Sequence, residues 1–457
     1  MPREGLTHAL KLDAHSASAR VAAAAVALSM ALGVSGGFAN PVALLLMTTA
    51  AVLTFLAAPL PSARAARADT AAAAILALGL TASLALQLLP PKFAAVAARA
   101  TSFRVGLVAC AAILATHAWC DAPRWFRHSR FAAISIVVVL LGAMVIRAEP
   151  TPHIDVWHLQ RLGTLELLAG KDPYSSQYPN IYGPRTRYLD PTLLSSDGRW
   201  VSALPYTPLT LLLDVPGIIA GDLRWALLAA TLASAWLIRA LGRGTAVAEL
   251  AGALLLLQPQ GFWALEQAWT EPFALLTILL AALAVTAARG WLLPGLALGF
   301  AASSKQYVPL VVAPLWLSLP SPRRWSALAI AAAIVAALFV PFLAWDPAGL
   351  IRGVVEFQLR QPFRADALSW PAAVLQLGGP QLPTWPAFPI ALAVLALGTG
   401  RAPSPGRALL SGVAAWIAFV AFNKQAFCNY YWLAVGLLCA AVAITSSRSV
   451  EQMTGRA

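Results

Sequence analysis

The residues of this chain that could do chemistry fall in six short polar segments. In His153-Ile154-Asp155-Val156-Trp157-His158 a carboxylate stands beside two imidazoles. At the edge of an apolar segment such a carboxylate can take the proton of a hydroxyl nucleophile, and it can equally cap a helix. Two His and one Asp begin a metal site, but no third strong ligand stands at helical spacing. Gly170-Lys171-Asp172-Pro173-Tyr174 is turn chemistry; it lacks the upstream glycines of a phosphate-binding loop. In 258–272 the acids Glu266 and Glu271 flank Gln267, with Trp263 and Trp269 close by. Acids beside a bilayer point to a water-filled cavity, and the Trp pair to an interfacial belt.

The other three segments are cationic. Lys305, followed by Gln306 and Tyr307, interrupts two apolar stretches; it either snorkels or meets an anion. Arg360 and Arg364, with Gln361 between them and Asp366 just beyond, are four apart. They share a face if the segment is helical, although Pro362 opposes a regular helix. Guanidinium pairs suit phosphate oxygens. Lys424 precedes Asn429 and Tyr430. Three basic clusters on one side of the chain, together with Asp155, describe a cavity for an anionic substrate delivered through a membrane.

The elements that must position these residues are apolar helices. The chain has 457 residues, 59% hydrophobic and 11% charged, with a mean hydropathy of +0.71. Soluble domains carry about 25% charged residues, so a soluble globular domain is excluded. The expectation is an all-α integral membrane bundle of 13–15 spans, given some 20 apolar residues per span. Candidate spans are 21–34, 41–60, 70–89, 105–120 and 131–146, then ten more from 204–219 to 433–444. This divides the chain into N-terminal helices (1–130), a core (131–445) with polar loops 148–203 and 345–385, and a cytoplasmic tail (446–457). Residues 1–20 are polar and basic and precede an apolar stretch without a cleavage site, which reads as a retained first helix.

The net charge of +13 fits Arg-rich cytoplasmic loops facing anionic lipid. No basic run is interleaved with aromatics as a nucleic-acid groove requires. With the N-terminus inside, both long loops fall outside; the 92–104 loop runs mildly against the charge rule. An odd number of crossings fits between the first outside loop and Arg239, so 204–219, with Pro205, Pro208, Asp214 and Pro216, is expected to lie along the membrane or re-enter it. Cys110, Cys120, Cys428 and Cys439 form neither a disulfide framework nor a zinc site.

The ordered set Asp155, Gly170-Lys171-Asp172-Pro173-Tyr174, Pro205-Tyr206-Thr207-Pro208-Leu209, Thr270-Glu271-Pro272, Lys305-Gln306-Tyr307, Arg364-Ala365-Asp366-Ala367-Leu368-Ser369 and Asn423-Lys424-Gln425 resembles the GT-C superfamily of polytopic glycosyltransferases. It is most similar to the bacterial alpha-mannosyltransferase family that uses polyprenyl-phosphate mannose, of the phosphatidylinositol mannoside type. The resemblance covers Phe131 to Ile444. It implies Asp155 as general base, inverting attack on a lipid-phosphate sugar, and no nucleotide sugar. Arg360, Arg364, Lys305 and Lys424 would hold the donor phosphate. His153, His158, Glu266, Gln267 and Glu271 would line the substrate cavity with Gln306, Tyr307, Gln361, Asp366, Asn429 and Tyr430. No cofactor is required if the cations stabilise the leaving group, although some superfamily members use a divalent metal. The expected partners are a polyprenyl-phosphate sugar, a lipid or glycan acceptor and membrane lipids, with no nucleic acid. About four spans precede the core, more than the family leads one to expect, and Pro-Tyr-Thr-Pro-Leu replaces the usual Tyr-Pro-Pro-Leu-like run.

The rival reading is a transporter or lipid flippase, which would place ionisable groups near the midplane on broken, often repeated helices. No internal repeat is found, and the polar residues sit at the outer edge. A glycan polymerase or ligase is a nearer rival. The expected site of action is the outer face of the plasma membrane. A cysteine placed at Ser195 is expected to react with an impermeant thiol reagent on intact cells; reaction only after lysis would reverse the orientation.

Overall fold

The computed structural model describes residues 17–57, 66–88, 100–116, 123–287, 290–399 and 404–454. About three quarters of them are helical. In chain order the first helices are α1 (Ala17–Ser35), α2 (Pro41–Ala57), α3 (Ala66–Leu88), α4 (Ala100–Ala115), α5 (Arg124–Ala148), α6 (Asp155–Leu168), α7 (Pro208–Ile219), α8 (Arg224–Leu241), α9 (Ala246–Leu257) and α10 (Gly261–Glu266). They are followed by α11 (Glu271–Ala287), α12 (Leu292–Ser304), α13 (Val308–Leu317), α14 (Ser321–Trp345), α15 (Pro347–Ile351), α16 (Phe357–Arg360), α17 (Trp370–Gln376), α18 (Ala387–Thr399), α19 (Pro405–Ala421) and α20 (Cys428–Thr454). The strand content among these residues is a two-residue antiparallel pair, Tyr178–Pro179 against Trp200–Val201.

Helix α20 is the centre of the bundle. It packs against α1, α8, α9, α11 and α19. Small residues allow this closeness: a Cβ on Gly436 would stand 2.6 Å from Leu275 Cδ2 of α11. Gly37, at φ +82°, lets the α1–α2 turn lie against the first residue of α20, a conformation that a Cβ disfavours. The periphery is the reverse. Helix α14 is apolar yet only 17% buried, and Leu45, Leu78, Leu140 and Leu392 are exposed. An apolar surface of this extent needs a cover other than water.

Six described helices are long and apolar enough to cross a membrane, and nine shorter apolar ones have 10–17 residues. Every expected span overlaps a helix where it is described. Parts of some, such as 117–120, and the N-terminal residues 1–16 lie outside the described residues. The segment from 446 is helical as far as Thr454, continuous with α20. Residues 204–207 are not helical; α7 has 12 residues and spans about 18 Å, short of the ~30 Å hydrocarbon core. Its Asp214 is buried with both carboxylate oxygens unpartnered.

The two long polar segments are not solvated loops. They pack on each other through two small cores. One joins Leu159, Tyr174, Tyr178, Leu204 and Leu211 to Phe342, Leu350 and Val354; the other joins Leu189, Leu193 and Val201 to Phe357. The Gly-Lys-Asp-Pro-Tyr turn forms as expected: Gly170 has φ +73°, and Asp172 Oδ1 accepts from Tyr174 N–H at 2.9 Å. Its outcome is to seat Tyr174, whose hydroxyl donates to the Tyr206 carbonyl at 2.7 Å.

Two buried arginines are paired where helices meet. Arg130 of α5 makes a two-bond pair with Glu249 of α9, at 2.7 and 2.8 Å. Arg224 is fully buried; it pairs with Asp222 and donates to the carbonyls of Ile146 and Glu149 at 3.2 and 2.8 Å. It thereby satisfies acceptors left open at the C-terminus of α5. Glu249→Gln leaves Arg130 an uncompensated buried cation, and the expected loss is about 3–5 kcal/mol. Graded heating in detergent followed by gel filtration measures it; unchanged heat resistance would refute the pairing as a stabilising contact.

Candidate functional site

A cavity of about 920 Å³ opens between the loop layer and the helix ends. Three clusters of side chains line it. The first is built on the start of α6. Ile154 is extended and the helix begins at Asp155, so the carboxylate sits at a helix N-terminus, which favours negative charge. Asp155 Oδ1 accepts from its neighbour Val156 N–H at 2.9 Å and from the Tyr182 hydroxyl at 3.0 Å. Oδ2 bonds nothing among the described residues. Burial pushes the carboxyl above the usual range, against the lowering effect of these bonds and of the Arg364 charge.

The second cluster surrounds Glu271 in the first turn of α11. It is 1% exposed. Its Oε1 accepts from Lys305 Nζ, from the Tyr307 hydroxyl at 3.1 Å and from Asn429 Nδ2 at 2.9 Å. Oε2 is buried without a partner. Tyr307 stacks on Trp416 with ring centroids 4.0 Å apart. From there an aromatic wall continues through Phe419 to Phe388, 5.1 Å away, and to the exposed Trp385.

The third cluster follows from backbone pairing. Residues 364–368 run beside 424–431: Arg364 N–H donates to the Lys424 carbonyl at 3.2 Å, Leu368 N–H to that of Ala426 at 2.8 Å, and the Tyr431 hydroxyl to that of Leu368 at 2.5 Å. Arg364 is thus held between the rings of Tyr188 and Phe427, each 4.7 Å away, and makes two bonds to Asp366 at 2.8 and 2.7 Å. Burial raises the Asp366 carboxyl, but the Arg364 bonds and charge outweigh it and hold it below its ordinary value. Lys424 Nζ donates to the Leu359 carbonyl at 2.6 Å.

The cavity gathers Asp155, His153, Gln267, Glu271, Lys305, Gln306, Tyr307, Gln361, Arg364, Asp366, Lys424, Asn429 and Tyr430. Three expected members are elsewhere. Arg360 ends α16, which stops before Pro362, so Arg360 and Arg364 do not share a helix face. Arg360 turns to Glu356 at 2.9 Å and Thr192 at 2.8 Å. His158 stands edge-on to the Trp157 ring at 5.0 Å. Glu266 bonds Gln267 at 3.2 Å, and the charges it feels are Glu149 and Arg224. A further difference concerns the cations: Lys305 and Arg364 are not free for a phosphate, since each already holds a carboxylate. Gln306 is structural, tying the carbonyls of Pro205 and Val354 at 2.9 and 3.1 Å.

Sequence reasoning missed Tyr182, Tyr188, Trp385, Phe388, Trp416, Phe419 and Phe427 as lining residues. The tyrosines lie in an irregular, turn-rich stretch, and the others were absorbed into apolar spans or their edges; no spacing marks them. Among the described residues no group of three or more His, Cys, Asp or Glu could hold a metal. Comparison with protein-family models, curated proteins and solved structures returns no match.

Lys305→Ala strands Glu271 in a buried site. The expected cost is about 3–5 kcal/mol of stability, whereas Lys424→Ala loses one hydrogen bond to a carbonyl, ~1 kcal/mol. Equal heat resistance of the two variants in detergent would show that the Lys305–Glu271 pair carries no stability.

Proposed function

We propose that the chain is a polytopic glycosyltransferase of the plasma membrane. In this reading it moves a sugar, by its resemblance mannose, from a polyprenyl phosphate to a hydroxyl of a lipid-linked or cell-envelope glycan acceptor. The N-terminus is cytoplasmic and the cavity faces outside. The observation that carries the reading is one cavity with two unlike halves. A polar floor holds Asp155, with its unbonded Oδ2, and an aromatic wall runs out to exposed Trp385. The floor suits a hydroxyl and a sugar; the wall suits an isoprenoid tail. The apolar periphery and the six long apolar helices support a membrane setting.

Asp155 Oδ2 accepts the proton of the acceptor hydroxyl as its oxygen attacks the anomeric carbon. The bond from that carbon to the phosphate oxygen breaks, its electron pair leaves with polyprenyl phosphate, and configuration inverts. The developing phosphate charge needs donors where it forms. Lys424, held by a carbonyl and not by a carboxylate, is the cation best able to turn to it. Arg364 contributes its field, and Lys305 is spent on Glu271. A raised Asp155 pKa serves a base: proton affinity is higher than that of an exposed aspartate, and the ionised form is present once the pH exceeds the raised value.

Asp214 favours a second reading, a transporter of lipid-linked glycan or another solute. A buried, unpartnered carboxylate in a short Pro-containing helix is what an ion-coupled carrier places at depth.

One comparison separates the two. Protein in lipid nanodiscs is given radiolabelled polyprenyl-phosphate mannose and membrane lipid extract. Asp155→Asn is expected to lower label transfer about 10²–10⁴-fold, while Asp214→Asn transfers as the parent does. A carboxyl whose folded pKa is raised loses stability as pH climbs through that value. Asn keeps both acceptor bonds, so Asp155→Asn is expected to be at least as heat-stable as the parent at pH 7. Transfer by Asp155→Asn at the parent rate would remove Asp155 as base. Absence of transfer by the parent, with substrate counterflow in vesicles that Asp214→Asn abolishes, would establish the carrier.

A further inference from the structure

The Tyr182 hydroxyl makes two bonds to one residue. It donates to Asp155 Oδ1 at 3.0 Å and accepts from Asp155 N–H at 3.2 Å. The carboxylate and its own backbone are thus closed into one ring through a single phenol oxygen. Rotation of the Asp155 side chain breaks that ring. Val156 N–H adds a second donor to the same Oδ1. The two oxygens therefore differ: Oδ1 is occupied and a poor proton acceptor, and Oδ2 is open.

Tyr182 itself is held at three points. Its N–H donates to Asn180 Oδ1 at 3.1 Å, and Asn180 Nδ2 clamps the carbonyls of Gly183 and Gly198 at 2.8 and 2.9 Å. Its ring meets Tyr188 at 5.1 Å and His153 at 6.0 Å. Burial and the adjacent Asp155 hold the phenol far above its ordinary pKa, so it remains a donor. The ionisable groups around Asp155 are His153, Tyr182, Tyr188 and Tyr206, with Arg364 and its partner Asp366. Among the described residues Tyr182 is the side chain that bonds the carboxylate.

We propose that Tyr182 is a positioning residue for the Asp155 base, locking one carboxylate oxygen so that the other faces the acceptor hydroxyl. The proposal rests on the glycosyltransferase reading for its catalytic consequence, and on geometry alone for the lock. Removing the hydroxyl takes away a donor that favours the ionised carboxylate. The acid limb of kcat/KM then moves to higher pH, and turnover falls because Oδ2 is no longer fixed.

The test uses the full chain in nanodiscs. Tyr182→Phe keeps the ring and its packing. The expected result is a loss in kcat of at least about tenfold, little change in KM for the lipid-phosphate sugar, and an acid limb displaced upward. Fluorotyrosine at position 182, a stronger donor, is expected to move the limb downward. The Asp155 carboxyl band, identified by its loss in Asp155→Asn, is titrated by infrared spectroscopy and is expected to shift in the same two directions. A loss of turnover with an unmoved limb and an unmoved band would make Tyr182 structural only and overturn the proposal. If the parent transfers no sugar, the base reading fails, and the infrared midpoints still decide the lock: opposite shifts uphold it and no shift overturns it.

Discussion

Glu271 Oε1 gathers the ends of four helices. Glu271 opens α11, Lys305 follows α12, Tyr307 precedes α13 and Asn429 lies in the first turn of α20. In a chain with so few charges, a carboxylate at 1% exposure persists only if donors replace the water it has lost. Those donors come from segments far apart in sequence, so holding the charge also fixes where the helices stop. The cavity exists because those ends are pinned around a polar centre and do not close over it. The aromatic wall starts from the same point, since Tyr307 both donates to Glu271 and stacks on Trp416.

Two of the acids lining the cavity, Glu271 and Asp155, stand in contrasting surroundings. Glu271 has three donors on one oxygen, including an ammonium that neutralises it. Asp155 has hydroxyl and amide donors on one oxygen, and its second oxygen is unbonded. A neutralised, fully buried carboxylate suits holding a structure together; a half-buried one with an open oxygen suits exchanging a proton.

Much of the helical architecture was legible in the sequence because apolar length is a strong signal. Segments such as 246–257 and 308–319 appear as helices within two residues of their expected ends. Polar residues at the segment edges also located the cavity: Asp155, Glu271, Lys305, Arg364 and Lys424 converge from five separate stretches. Partnering was not legible. Lys305 reads as a free outside cation until Glu271 is seen beside it, and Arg364 until Asp366 is. Arg360 was misplaced because a four-residue spacing implies a shared face only on a continuous helix, and α16 ends there. Tyr182 was invisible because its role depends on the Asn180 turn, which carries no periodicity.

The pairing of 364–368 with 424–431 bears on how the protein is made. Arg364 is clasped between Tyr188 and Phe427, and the α1–α2 turn lies against Cys428 and Asp366. Segments far apart in the sequence thus meet at one place. A nascent chain that has not yet released Phe427 and Asn429 has neither the second ring around Arg364 nor the Asn429 donor to Glu271. The chamber is therefore complete only once α20 and the residues just before it are in place.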